Sequence, residues 1–461
     1  MADTTPTLSS TSMSTTSYNT ALCIIPPQDQ CLDVDKLRSL YDKGFERWPP
    51  HINLVYPFVA PESLAKAKGQ IDSFLGSHLD DREAFRVDLD QSGYFKHRNN
   101  STVYLCESVD SSSSPLARLR SAVLCAVGQE PSLCNFHLTV GQSEDESEST
   151  RGFLLSKARL LPVLTFGIGS LAILVRERDA GPDGRMRLWG TIDLPNSQPS
   201  SGIPIPEFWL RNEETALEQP GFEGEEKSDP APFSQFSRLV QPGITYQFNL
   251  DTDAWTLAPF STSQKSIMDS LSISSYNVLI DSGYPPARDR DSMLVATLLS
   301  DAALADVLIL QEVSDDFLSF LLADEAIQQR YPYSSHGPPS QPDIGPLPSL
   351  RNVVILAKHH FRWEFVPFHR RHKGAVVATF SSIVEASLPL VVAGVHLTCG
   401  LTDGSVAAKK VQLNNLTNHL KRHYPANPWI IAGDFNITTS RYTIDEAVKN
   451  KEVSQLSLIH I

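Results

Sequence analysis

The sequence predicts two successive domains, the first α+β and the second a layered α/β sandwich. Three observations predict them. Two stretches 86 residues apart, His51-Ile52-Asn53 and His137-Leu138-Thr139, each place an imidazole and a short hydrogen-bonding side chain two apart on an apolar strand. Four apolar, strand-like runs beyond residue 263 each end in one polar group. Between the two sets lies a stretch, 196–262, with seven prolines between 199 and 242, which marks it as a linker rather than a core.

Composition narrows the class. The 461 residues suffice for two or three domains, and an apolar fraction of 41% is that of an ordinary globular chain. No run of about 18 apolar residues is present, so no membrane span is expected. Twelve of the first twenty residues are Ser or Thr, with neither an apolar core nor an Arg, so residues 1–20 read as a disordered tail rather than a targeting peptide. The six cysteines, at 23, 31, 106, 125, 134 and 399, have no zinc spacing and read as reduced intracellular thiols in cytoplasm or nucleus. A net charge of -14 argues against broad, nonspecific affinity for nucleic acid while leaving room for a local basic site.

The first domain spans 21–195. Residues 21–25 read as a strand stopped by Pro26 and Pro27, and 32–45 has helical spacing. In 51–56, strict alternation sets His51, Asn53 and Val55 on one face and Ile52, Leu54 and Tyr56 on the other. Residues 136–142 repeat the arrangement with His137 and Thr139. Between the repeats the pattern gives a helix (61–79), a strand pair (85–90 with 102–106) and a second helix (115–127). A helix over 153–160 and a closing hairpin (171–178 with 187–194) follow. Two imidazoles of near-neutral pKa can divide a phosphodiester reaction, one taking a proton from the attacking oxygen and the other giving one to the leaving oxygen. Thr139 and Asn53 would hold the nonbridging oxygens.

These residues resemble the 2H phosphoesterase superfamily, which includes the 2'-5' RNA ligase-like proteins and cyclic nucleotide phosphodiesterases. That family is two-lobed, and each lobe gives one His-x-Thr/Ser to a central groove. The resemblance makes His51 and His137 catalytic and Asn53 and Thr139 substrate-binding, with no metal. Asn53 stands where the family has Thr or Ser; its amide can still donate to a phosphate oxygen.

In the second domain, 263–461, the strand-like runs end at Asn277, Glu312, His396 and Asp434. Residues 429–432 read as a buried strand. Gly433 turns the chain, and Asp434 and Asn436, two apart in extended backbone, should point the same way. Helices are expected over 290–304 and 315–329, and strands over 352–357 and 375–380. A basic stretch between those strands, from Lys358 and Arg362 to Arg370, Arg371 and Lys373 with four histidines, offers either a phosphate contact or an exposed hairpin. Residues 245–257 read as a hairpin packed on one of the domains.

Together these residues resemble the endonuclease/exonuclease/phosphatase superfamily, the DNase I-like fold, a four-layer α/β sandwich. The resemblance implies a Mg2+ site at Asn277 and Glu312, with catalytic His396, Asp434 and Asn436, and a basic-plus-Gln helix at Lys409 to Leu413. The family closes its site with a later Asp and an Asp-His or Ser-Asp-His pair. Here the chain stops 25 residues after Asn436, and His460 has no Asp before it, so the sandwich is expected to be incomplete.

Two functions fit. One is a phosphodiesterase for RNA ends, acting on a 2',3'-cyclic phosphate or a 2'-5' linkage through two histidines, joined to a Mg2+-dependent nuclease or phosphatase-like domain. Chains with this pair often continue into further C-terminal domains. The other is an inactive protein whose grooves only hold RNA ends or partners.

Overall fold

The computed structural model describes residues 13–14, 16–78, 85–109, 114–177, 184–194, 240–259, 270–280, 284–368, 373–381, 388–438 and 440–454. The chain divides into two compact units, 1–231 and 232–461. Residues 1–12 and 15 of the tail, most of the linker and the chain end fall outside the described residues, as does the tip of the 171–194 hairpin, while Met13 is buried in the first unit's core.

The first unit contains, in order, β1 (Thr20–Ile24), α1 (Leu32–Tyr41), β2 (Ile52–Val55), α2 (Leu64–His78), β3 (Arg86–Leu89), β4 (Gln91–Lys96), β5 (Ser101–Cys106), α3 (Pro115–Ala126), β6 (Leu138–Gln142), α4 (Glu148–Arg159), β7 (Leu164–Gly167), β8 (Ser170–Arg176) and β9 (Met186–Asp193). Seven strands form one sheet in the order β4-β5-β6-β2-β1-β8-β9, which puts the two histidine strands β6 and β2 side by side near its middle. One apolar core gathers Ile52, Leu54 and Leu138 with Ile71 and Leu75 of α2 and Leu119 and Val123 of α3. Helices α3 and α4 start on Ser114 and Ser147, whose hydroxyls accept from the first-turn amides of Leu116 and Thr150. Such a cap contributes about 1 kcal/mol.

Two sequence expectations fail here. β3 does not pair with β5: it pairs with β7 in a separate two-stranded sheet, and β5 pairs with β4 and β6. β4, Gln-Ser-Gly-Tyr-Phe-Lys, has no clean apolar alternation and gave no strand signal. The face assignment of 51–56 also breaks. Leu22 pairs with Val55 and Cys23 with Asn53, so Leu54 is one residue too many and β2 bulges there. The bulge turns Val55 into the core beside Leu54, and Tyr56 joins Trp48 on the opposite side.

The second unit contains β10 (Gln241–Pro242), β11 (Tyr246–Asn249), β12 (Ala254–Leu257), β13 (Ile273–Asn277), α5 (Asp291–Leu298), β14 (Val307–Val313), α6 (Asp315–Leu322), α7 (Glu325–Arg330), β15 (Tyr333–Ser334), β16 (Asn352–Ala357), β17 (Arg362–Pro367), β18 (Gly374–Phe380), β19 (Leu390–His396), α8 (Asp403–His423), β20 (Trp429–Asp434) and α9 (Arg441–Lys449). Two sheets, β12-β11-β15-β16-β14-β13 and β10-β17-β18-β19-β20, face one another. Val307, Ile309 and Ile355 of the first meet Val376, Ala378 and Val392 of the second. Helices α5 to α7 cover the outer face of the six-stranded sheet, and α8 covers that of the five-stranded one through Leu416 and Leu420. The result is the four-layer sandwich the sequence resembles.

Details differ from expectation. The 246–257 hairpin is part of the second unit's six-stranded sheet. The helix expected over 315–329 is two, because Asp324 caps α7 by accepting from the amides of Ala326 and Ile327. Among the described residues β20 is the last strand of the five-stranded sheet, and Trp429 is 38% and Ile430 41% exposed rather than buried. Of the basic stretch, Lys358 is committed to Asp306 at 2.6 Å, Arg362 starts β17, and 369–372 lie outside the described residues. Among the described residues no helix is long and apolar enough to cross a membrane.

Candidate functional sites

In the first unit each histidine sits one residue before its strand, and the two are built alike. His51 Nδ1 lies 2.8 Å from the carbonyl of Pro49, and His137 Nδ1 lies 2.8 Å from that of Asn135. A carbonyl only accepts, so each Nδ1 carries the proton and each Nε2 keeps its lone pair for the groove. β2 and β6 run antiparallel with Ile52 opposite Leu138. One step along that register either way sets His51 opposite Thr139 and Asn53 opposite His137. All four predicted side chains therefore share one face of the sheet at its centre, with the two imidazoles on a diagonal.

The surroundings favour neutral imidazoles. Burial pushes the His51 pKa down to about 4, against a partial counter-effect of its bond to Pro49. The nearby Arg38 and His137 charges lower it further, and Asp42 raises it. Burial also lowers His137, opposed by its bond to Asn135. Aromatic rings bracket both. Trp48 stacks on His51 at 4.7 Å between centroids, and Phe95 and Tyr104 stand 4.9 and 5.1 Å from His137. The sequence reading missed these rings, since only the sheet order brings β4 and β5 beside β6. It also missed Arg38. This 2% exposed guanidinium donates to Asp42 Oδ2 at 3.0 Å and to the Trp48 carbonyl at 2.9 Å, fixing the loop that delivers His51.

In the second unit the ends of β13, β14, β19 and β20 converge. Asn277 Nδ2 donates to Asp434 Oδ2 at 2.8 Å and lies 3.3 Å from Glu312 Oε1. His396 Nε2 is 3.6 Å from Glu312 Oε1 and 4.0 Å from Asp434 Oδ2. Burial lowers the His396 pKa, and the neighbouring Glu312 and Asp434 carboxylates oppose that. Glu312 is 7% exposed; it accepts from the amide of Ile280 at 3.2 Å and has Arg351 at 3.7 Å. Its positive φ of 61° falls within β14, where the pairing with β16 shifts register between Leu310 and Val313.

Asn436 differs from the extended arrangement read in the sequence. It has φ 51°, its amide nitrogen gives to the Leu397 carbonyl at 2.9 Å, and its backbone N–H gives to Asp434 Oδ1 at 2.8 Å. It orients Asp434 rather than standing beside it. On α8, Lys409 donates to the Gly400 carbonyl at 2.7 Å and Gln412 clasps Thr398 through both ends of its amide, so this helix secures the loop after His396.

Among the described residues no group of three or more His, Cys, Asp and Glu side chains is arranged to hold a metal ion. The donor chemistry nevertheless suits a hard cation. The carboxylates of Glu312 and Asp434 converge, and Mg2+ commonly takes one or two carboxylates and completes its shell with water; Asn277 meets both with its Nδ2, while its Oδ1 accepts from the Leu279 amide at 2.8 Å.

Residues 26–180 match the family model for the 2'-5' RNA ligase superfamily, and residues 274–454 match that of the Endonuclease/Exonuclease/phosphatase family. No curated protein matches the chain. Among solved structures, E. coli LigT complexed with phosphate is 13% identical over 38% of this chain and 97% of its own, with a TM-score of 0.25. Humanized D. rerio TDP2 is 18% identical over 40% of this chain and 68% of its own, at 0.26. An endonuclease/exonuclease/phosphatase from Beutenbergia cavernae DSM 12333 is 21% identical over 37% of this chain and 48% of its own, at 0.27. These three are likenesses and no more.

Proposed function

The chain joins a domain of the 2'-5' RNA ligase superfamily to one of the endonuclease/exonuclease/phosphatase family, both phosphoesterase families, and from this we propose that its first domain hydrolyses a phosphodiester at an RNA end by two-histidine catalysis. The observation that carries the proposal is the matched pair: each imidazole is locked through Nδ1 to a carbonyl two residues upstream, and the register sets the two on a diagonal beside Asn53 and Thr139.

The chemistry follows from these positions. His51, with its strongly depressed pKa, is neutral at pH 7 and takes a proton from the attacking water at Nε2. In the proposed step His137 carries a proton on Nε2 as well and gives it to the leaving ribose oxygen. One P–O bond forms, one breaks, and a 2',3'-cyclic phosphate opens to a monoester. Asn53 and Thr139 donate to the nonbridging oxygens, whose charge grows in the transition state. Phe95 and Tyr104, beside His137, offer aromatic surface against which a substrate base can stack, while the Trp48 ring is stacked on His51.

The second domain is proposed to act as a Mg2+-dependent nuclease or phosphatase-like unit. Glu312 would hold the cation, which polarises a phosphate oxygen when bound, and Asn277 would ligate it once its amide turns to present Oδ1. Asp434 would orient the attacking water, with Asn436 holding Asp434 in place, and His396 would face the scissile phosphate.

Hydrolysis of an RNA oligonucleotide ending in a 2',3'-cyclic phosphate, with and without EDTA, tests the first reading. Turnover that survives EDTA and disappears in His51→Ala supports it. A folded protein that binds RNA but turns nothing over would favour a holding role instead.

A further inference from the structure

Asn53 occupies the position where a hydroxyl would be the simpler phosphate donor. A hydroxyl rotates to donate or accept as needed, whereas an amide presents either its oxygen or its nitrogen. An oxygen facing the groove would repel a phosphate, so something must choose the orientation. Beside it lies Cys23. β1 and β2 pair these two residues directly, so both side chains stand on the same face of the sheet. Cys23 Sγ donates to Asn53 Oδ1 at 3.3 Å. The thiol is fully buried, packed among Ala21, Ala172 and Leu174 on the floor of the groove. Burial pushes its pKa far up, so at neutral pH it is S–H and can only present a proton to that oxygen. With Oδ1 held, Nδ2 is what remains, and among the described residues no protein acceptor takes its protons.

Resting on the proposed two-histidine reading, we infer that Cys23 is a positioning residue: its thiol locks the Asn53 amide with Nδ2 toward the groove, so that Asn53 does the work of a Thr. The pair acts as a unit. Either residue alone leaves a fault, namely an unanchored amide or a buried thiol without its acceptor.

Binding of adenosine 2'-monophosphate, measured by calorimetry alongside turnover of the cyclic phosphate, tests this with four variants. Cys23→Ala should weaken binding and lower kcat/KM about fivefold, equivalent to roughly 1 kcal/mol. Cys23→Ser, which keeps a donor, should restore most of both. In Asn53→Thr the hydroxyl needs no anchor, so adding Cys23→Ala should change neither readout. The double variant also shows whether Cys23→Ala folds. Equal losses from Cys23→Ala in the wild-type and Asn53→Thr backgrounds would overturn the inference, because a packing defect would act in both. Nucleotide binding that depends on Cys23, in a protein that turns nothing over, would sustain the positioning role and sink the hydrolase reading. Turnover with no dependence on Cys23 would do the reverse. A wild-type protein that neither binds nor turns over would sink both.

Discussion

Ile52 lies opposite Leu138, the one paired position of β2 and β6 among the described residues. Both side chains are buried in the same core. Their chain neighbours point the other way, and so His51, Asn53, His137 and Thr139 meet on the face the core does not use. The histidines stay 86 positions apart in sequence and become neighbours through one register. A one-residue slip of either strand would send its imidazole into the core.

Acid should weaken the first domain through His51. Its folded pKa of about 4 lies below the value of about 6.5 expected in the unfolded chain. Between these values the unfolded chain binds more protons, so stability falls as pH drops through that window and levels off below about 4. Thermal melts from pH 7 to pH 4 should show Tm falling by at least about 3 °C from this source. His51→Gln should flatten part of that slope. An identical slope in the variant would contradict the assignment.

Arg38 should matter more to stability than a helix arginine usually does. Its removal leaves the 6% exposed Asp42 without its buried cation and frees the Trp48 carbonyl. Breaking a buried pair on one side costs roughly 3–5 kcal/mol. Urea denaturation of Arg38→Ala should show a loss of that order. A change within about 0.5 kcal/mol, as at an ordinary surface site, would contradict the anchoring role.

Gly433 lies within β20 next to Asp434, opposite Val395 of β19, at φ 143°, and a Cβ there would overlap the Val395 carbonyl oxygen. Gly433→Ala should therefore shift the strand end that carries Asp434. The expected outcome is a destabilised second domain, by about 1–3 kcal/mol, in a chemical denaturation series. A neutral substitution would show that the backbone turns there without need of glycine.

How far the sequence disclosed these sites depended on what each residue's position required. Polar groups at the ends of apolar strands were legible, because strand direction alone delivers them, and Asn277, Glu312, His396 and Asp434 do converge. The histidine pair was legible from its repeated context. What escaped reading depended on pairing between distant segments. The bulge at Leu54 comes from the match of β1 to β2, and the aromatic bracket comes from the order β4-β5-β6. The exposure of Trp429 and Ile430, on the last strand of the sheet among the described residues, is not something an apolar run announces. Asn436 misled because its left-handed backbone cancels the i, i+2 rule for extended chain.

Mg2+ should stabilise the second domain through the carboxylates. Binding that favours the folded state contributes roughly 2.7 kcal/mol at a hundredfold excess over Kd, which is a Tm rise of about 5–10 °C for a domain this size. Glu312→Gln should abolish most of the rise, and Asp434→Asn should reduce it. An undiminished rise in Glu312→Gln would place the cation elsewhere.

The most direct measurement is the single-turnover rate on an RNA oligonucleotide ending in a 2',3'-cyclic phosphate, in excess EDTA, for wild type, His51→Ala, His137→Ala and Glu312→Gln. Two-histidine catalysis requires a wild-type rate unchanged by EDTA and by Glu312→Gln. It also requires a fall of about 10²- to 10⁴-fold in each histidine variant, with Tm of the variants close to wild type. A rate that vanishes with EDTA, or that survives the loss of either imidazole, would contradict it.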